Sequence, residues 1–202
     1  MTGEAVKWRP STERDCDKLA SRVAEIVNAA YKRGENGMWQ EGQTRTNPKE
    51  VEEFLRRGEL LLLFATEDDS DDDSDDDNDG ELLGCVRCLA PMNEDEDPNL
   101  AELGMLAVAE SATGLGLGSR LVKAAEDYAK ANGCSVMQLE LLSPSEEKHD
   151  FKARLDSWYS RIGYVPGPTE PFENEFPQLS ELLAVPCKFQ IYKKNLVQEI
   201  EE

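Results

Sequence analysis

One stretch constrains the fold of this chain more than any other: Leu100 to Gly133, LAELGMLAVAESATGLGLGSRLVKAAEDYAKANG. After Glu102 it carries no charge until past Val108, as expected of a mostly buried strand. Gly114, Gly116 and Gly118 then alternate through a turn where a side chain would block close approach of a ligand. From Leu117 the apolar positions Leu121, Ala124, Ala125 and Tyr128 fall at helical spacing, and Gly133 supplies a stop. Backbone N–H groups at the start of such a helix lack internal partners and carry the positive end of its dipole. The turn is therefore an anion site suited to a diphosphate.

Two familiar glycine motifs do not fit. A Walker loop needs Lys after its last glycine, but Gly118 is followed by Ser119 and Arg120. A dinucleotide GxGxxG opens a βαβ unit with an acid about 20 residues on; here the spacing is GxGxG and the strand sits mid-chain. The structural alternative is a turn that only connects strand to helix.

Composition limits the partners. The 202 residues suit one domain with an ample core. The net charge is −20, and ten of the acids lie between Glu67 and Asp79 with no base among them. Either half of that excess disfavours nucleic acid, whose phosphates need a basic surface. Five cysteines without a framework spacing point to reduced thiols, hence a cytoplasmic or nuclear protein. Cys85 and Cys88 form a CxxC within a strand pattern, where they would face opposite ways, and His149 is the one histidine, so no metal site is expected. No apolar run reaches membrane-spanning length and Met1 opens no signal peptide, so no membrane partner is expected.

In order, Val6 to Pro10 reads as a strand, and Ser11 or Thr12 caps a helix with apolar positions Cys16, Leu19, Val23, Ile26, Val27 and Ala30. Gly34 to Thr46 is broken by glycine and carries Met38, Trp39 and Arg45; Asn47-Pro48 then starts a second helix that Gly58 ends. Leu60–Ala65 and Leu82–Leu89 are strands flanking the acidic tract, residues 67–80, which reads as a disordered insertion at a hairpin tip. Ser135–Leu142 is a strand and Phe151 to Ile162 a helix, with Phe151, Leu155, Trp158 and Ile162 as its apolar face and Tyr159 at the edge. Tyr164-Val165 opens a strand limited by Pro166, residues 168–183 form a connecting insertion, and Val185–Tyr192 is the last strand. Residues 196–202 are a tail expected to fray.

Two segments, LGMLAVAESATGLGLGSRL at 103–121 and SWYSRIGYVP at 157–166, together resemble the GNAT acyltransferases. The first is similar to that family's Arg/Gln-x-x-Gly-x-Gly/Ala loop and departs from it at Thr113; the second is similar to its aromatic-Tyr-x-x-x-Gly-Phe/Tyr segment. Gly37-Met38-Trp39 through Asn47 is similar to a poorly characterised subgroup. The resemblance spans roughly Lys7 to Asn195. It implies a single α/β (α+β) domain of 202 residues: a mixed, mostly antiparallel sheet flanked by helices and splayed at the cofactor strand.

The resemblance also implies chemistry: N-acetyltransfer from acetyl-CoA to a primary amine, small molecule or peptide, by direct attack. Acetyl-CoA would be held by Thr113, Gly114, Leu115, Gly116, Leu117, Gly118 and Ser119, with its pantetheine arm along Leu106, Ala107 and Val108 as an added strand. A backbone N–H near Leu106 would polarise the thioester carbonyl. Glu140 matches a position that serves as base in some members, with Glu102 the second candidate; Tyr159 aligns with the general acid. Trp39 and Glu102 would face the acceptor. His149, in a polar loop, reads as exposed, and Ser143–Asp150 lacks the Asn that the family often places near the cofactor. Monomer and homodimer stay open. The competing class is an acyl-CoA-binding scaffold whose acidic tract holds basic partners.

Overall fold

The computed structural model describes residues 6–66, 80–91 and 97–197. The elements run β1 (Val6–Pro10), α1 (Asp15–Gly34), α2 (Pro48–Arg56), β2 (Leu60–Ala65), β3 (Leu82–Leu89) and β4 (Leu100–Val108). A 3₁₀ turn (Glu110–Ala112) follows, then α3 (Leu117–Ala131), β5 (Val136–Pro144), α4 (Asp150–Arg161), β6 (Val165–Pro171), α5 (Phe172–Glu175), α6 (Pro177–Ser180) and β7 (Cys187–Asn195). The strands form one mixed sheet in the order β1-β2-β3-β4-β5-β7-β6. Pairing of β4 with β5 is parallel; β1–β2, β2–β3, β5–β7 and β6–β7 are antiparallel.

Packing divides the chain into two compact units. One holds residues up to Ala30, then Thr46–Cys88 and Met105–Ala125. Its core is the continuous apolar run Leu60–Phe64 with Val23, Val27, Val51, Leu55, Val86 and Leu121. Side chains fix its ends. Arg9 grips the Asp15 carboxylate with two N–H···O contacts of 2.8 Å, and the Thr12 N–H donates to the same group at 2.7 Å. Asn47 caps α2 by accepting from the Glu50 N–H, with Pro48 in the first turn. Cys85 and Cys88 are both buried free thiols.

The other unit holds Tyr31–Arg45, Leu89–Gly104 and Glu126 to the C-terminus. Here Leu139 pairs with Tyr192 and Leu142 with Phe189, so odd and even positions of β5 face opposite ways. Met137, Leu139 and Leu141 are buried on the odd face. Asp156 on α4 accepts from the Tyr192 hydroxyl at 2.5 Å, which places α4 over that face. The even face carries Gln138, Glu140 and Leu142, the last in a cluster with Met38, Phe172 and Cys187, against which Trp39, Phe176 and Phe189 pack. Within this unit Lys194 on β7 meets Glu126 of α3 at 2.8 Å.

Several expectations are corrected. Pro166 does not end its strand: β6 runs on to Pro171 as an edge strand, where prolines can sit with no N–H to offer. The 168–183 insertion therefore comprises the end of β6 followed by the short helices α5 and α6. Tyr159 is not at the edge of α4's inner face but at its centre, 6% exposed, and its buried companion is Lys152. His149 is half-buried, not exposed, and caps α4: its Nδ1 accepts from the Lys152 N–H, while Nε2 lies 3.2 Å from the Asn36 carbonyl. One neutral tautomer, with the proton on Nε2, satisfies both contacts. Leu196, the first residue of the expected tail, is buried, its N–H donating to the Ser135 carbonyl; residues 198–202 lie outside the described residues. The acidic tract lies outside the described residues apart from Gly80.

Candidate active site

The glycine turn is built by the residues on either side of it. Ala112 and Thr113 close the 3₁₀ turn onto Ala109 and Glu110, and the Thr113 hydroxyl donates to the Ala109 carbonyl at 3.3 Å. Thr113 thus spends both its donors on the turn. Gly114 and Gly116 follow with φ of +87° and +76°, a left-handed backbone that any other residue would adopt under strain. Gly118 needs no such conformation. A methyl group on any of the three would meet nothing within 4 Å. The space in front of the loop is open.

Ser119 and Arg120 donate to the Gly116 carbonyl, which starts α3. Among the described residues nothing accepts from the backbone N–H groups of Gly114 through Gly118. Five consecutive donors therefore stand unused at the positive end of a 15-residue helix. The buried Leu117 side chain anchors the helix start, and exposed Leu115 sits at the tip between two left-handed glycines. Consecutive free N–H groups at a helix N-terminus are suited to a diphosphate.

In the same unit the end of β4 presents Leu106, Ala107 and Val108. Gly84 on β3 makes room for that strand, because a methyl group there would fall 2.6 Å from the Ala107 carbonyl. Met105, just before, has φ of +48°. A left-handed non-glycine residue costs about 1–2 kcal/mol; the β4–β5 register, Leu100–Leu103 against Val136–Leu139, precedes Met105.

The acid–base candidates lie in the other unit, on the two faces of its ladder. Glu102 pairs in register with Gln138, two positions from Glu140 on the even face. Burial pushes the Glu140 carboxyl above the ordinary carboxylate range, and the charges of Glu102 and Glu175 push the same way. Tyr159 belongs to the odd face, its ring 5.8 Å from Tyr192, 5.9 Å from Tyr164 and 4.8 Å from Trp158. Burial, then Tyr31 and Tyr192, drive its phenol far above the ordinary tyrosine value, so it stays protonated. No hydrogen bond to its hydroxyl forms among the described residues, although the side chain is buried.

Trp39 sits beside Phe172, ring centres 5.7 Å apart and nearly perpendicular, and bridges Leu183 through its backbone. A cavity of about 600 Å³ opens along α4, lined by Lys148, Asp150, Ala153, Arg154, Ser157 and Arg161. Helical spacing puts these on the side of α4 opposite Tyr159, so that cavity is not where the phenol points. Among the described residues no group of His, Cys, Asp and Glu could hold a metal ion. No helix among them is long and apolar enough to cross a membrane. Sequence reasoning missed Glu35 and Lys152, a buried ion pair whose partners lie 117 positions apart; no local pattern announces such a contact.

A model of the acetyltransferase (GNAT) family matches residues 28–178. Comparison with curated protein sequences returns no match. Among solved structures the chain is similar to yncA of Salmonella typhimurium, described with its cofactor acetyl-CoA: TM-score 0.61, 16% identity, 97% of this chain and 96% of that one. It is also similar to an aminoglycoside 6′-acetyltransferase type Ii, at TM-score 0.59 and 15% identity over 96% and 99% of the two chains. The NatC complex bound to Gag peptide and CoA is a third, at TM-score 0.59 and 15% identity over 95% and 99%. The sheet order, the parallel β4–β5 pair and the matched three-quarters of the length agree: this chain belongs to the acetyltransferase (GNAT) family.

Proposed function

We propose that this protein transfers acetyl from acetyl-CoA to a primary amine by direct attack. The observation that carries the proposal is the row of unused N–H donors at Gly114–Gly118, in a loop with open space beside its three glycines, which fits the CoA diphosphate. The backbone edge at Leu106–Val108 binds the pantetheine arm as an added strand, and the Leu106 N–H stabilises charge developing on the thioester oxygen. That yncA is described with acetyl-CoA and the NatC complex with CoA and a peptide supports the same ligand here.

Glu140 takes the proton that the amine must lose, and burial, by raising its pKa, makes it a stronger base than an ordinary carboxylate. The amine nitrogen bonds to the thioester carbon, the C–S bond breaks, and Tyr159 protonates the departing thiolate. Being unpartnered within the described residues, its hydroxyl is available for that donation. Trp39 and Glu102 face the acceptor from the even side of the sheet. Five thiols are buried and in no nucleophile arrangement, which is consistent with attack without an acyl-enzyme.

Isothermal titration with acetyl-CoA tests the reading. It predicts saturable binding below millimolar concentration; no heat at millimolar acetyl-CoA would contradict it.

A further inference from the structure

A buried ion pair that the reaction does not use ties the wall beside Trp39 to the helix that carries Tyr159. Glu35, at the end of α1, is 8% exposed, and Lys152, in the first turn of α4, is 6% exposed. The Lys152 ammonium donates to one Glu35 oxygen at 2.9 Å. The other oxygen accepts from the Trp39 indole N–H at 2.6 Å. Both carboxylate oxygens are thus engaged, one by the cation and one by the ring.

We propose that Glu35 is a positioning residue of the acceptor site, fixing the Trp39 indole at a set distance from α4; this rests on the acyltransferase reading above. Two buried charges facing one another are a weak source of stability, since apolar residues of similar volume often replace them at no loss. What an apolar pair cannot do is accept the indole N–H. Without that acceptor Trp39 keeps its apolar packing, including the edge-on Phe172 ring, and the backbone bridge to Leu183, none of which accepts the indole N–H. Lys152 precedes Tyr159 by seven residues, two helical turns, so both project from the same side of α4. The segment from Gly34 to Trp39 is seated on that helix at two further points. His149 Nε2 meets the Asn36 carbonyl, and a methyl group at Gly34 would press to 3.0 Å on the Phe151 ring. Trp39 in turn packs on the cluster of Met38, Leu142, Phe172 and Cys187, of which Leu142 is two positions along β5 from Glu140. The indole is therefore referenced to the acid's helix and stands beside the base's strand.

Two double variants isolate the role. Glu35→Gln with Lys152→Met removes both charges and keeps an oxygen for the indole; Glu35→Leu with Lys152→Met removes the charges and the acceptor. Each is assayed with acetyl-CoA against spermidine, tyramine and a short peptide with a free N-terminus. The proposal expects the Gln/Met protein to stay within about threefold of wild type in kcat/KM for the amine turned over. The Leu/Met protein should lose about 10- to 100-fold, the usual effect of misplacing a bound reactant. The KM for acetyl-CoA and the melting temperature should be alike in the two. In ¹⁵N spectra the Trp39 indole N–H should exchange slowly in wild type and Gln/Met and fast in Leu/Met. If Leu/Met does not fold, Glu35→Leu with Lys152→Leu removes the same charges and acceptor with Trp39 kept, and should show the same loss toward the amine. Equal kcat/KM and equal indole exchange in the two double variants would overturn the proposal while leaving acyl transfer standing. Failure of wild type to turn over any amine or bind acetyl-CoA removes the acyltransferase reading and this one with it.

Discussion

In the proposed reaction Tyr159 must start protonated and Glu140 ionised; burial favours the first and works against the second. The phenol is buried among Trp158, Tyr164 and Tyr192 and held protonated, with no group among the described residues to satisfy its hydroxyl. Tyr159→Phe should therefore leave the melting temperature nearly unchanged, while single-turnover rates fall about 10²- to 10⁴-fold. A Phe variant with wild-type single-turnover rates would take Tyr159 out of the reaction. At Glu140 the shift is upward, from burial first and then Glu102 and Glu175. kcat/KM should rise with pH, with a midpoint above the ordinary carboxylate range. No falling limb should come from Tyr159 below the usual phenol range. The sign for stability is the reverse. The unfolded chain ionises Glu140 first, so stability drops as pH climbs from the unfolded to the folded pKa and then levels off. Glu140→Gln should erase the rising limb of activity and raise the melting temperature at neutral pH. A melting temperature that falls at neutral pH would mean that the charged form is stabilised in the fold.

At the scale of elements, the loop and α3 separate what glycine does for the backbone from what it does for a ligand. Gly114 is left-handed, so Gly114→Ala should cost about 1–2 kcal/mol in stability. Gly118 lies inside α3 without a positive φ, so Gly118→Ala should hold or gain up to about 1 kcal/mol by helix propensity. Its methyl group would project into the open space before the loop, and acetyl-CoA affinity should fall about tenfold or more. Chemical denaturation and titration read the two effects apart; a Gly118→Ala protein that binds as wild type would move the diphosphate elsewhere. These elements were legible because their signals are local. The apolar run Leu60–Ala65, the Asn47-Pro48 start and the glycines at 58, 133 and 163 each mark a boundary where it falls. β6 was not, because Pro166 ends a strand by propensity but not at a sheet edge. Nor was the inner face of α4: a lysine reads as exposed unless its counter-charge, here Glu35, is known.

For the whole molecule the dominant sequence feature is its acidity, and half of it sits in one insertion. The Ala65 N–H donates to the Glu81 carbonyl at 2.9 Å, and Phe64 pairs with Leu82, so the chain is already closed across that segment. Deleting 67–79 should then leave acetyl-CoA affinity and amine turnover unchanged and alter stability by less than about 1 kcal/mol, the scale of shortening a loop. Loss of turnover on deletion would bring the acidic tract into the catalytic account. The glycine turn, the strand before it and the family were readable from 103–121 and 157–166, since a turn and a helix start are contiguous in sequence. The packing of Trp39 on Leu142 and Phe172 was not, because it joins distant segments. One measurement tests acyl transfer most directly. Wild-type protein is mixed with acetyl-CoA and the amine panel, free CoA thiol is followed in time, and both amine and protein are weighed by mass spectrometry. The account predicts CoA released in step with an N-acetylated amine, from an enzyme that itself gains no acetyl group. Acetyl found on a cysteine of the protein, or acetyl-CoA bound with no acetylated amine formed, would contradict it.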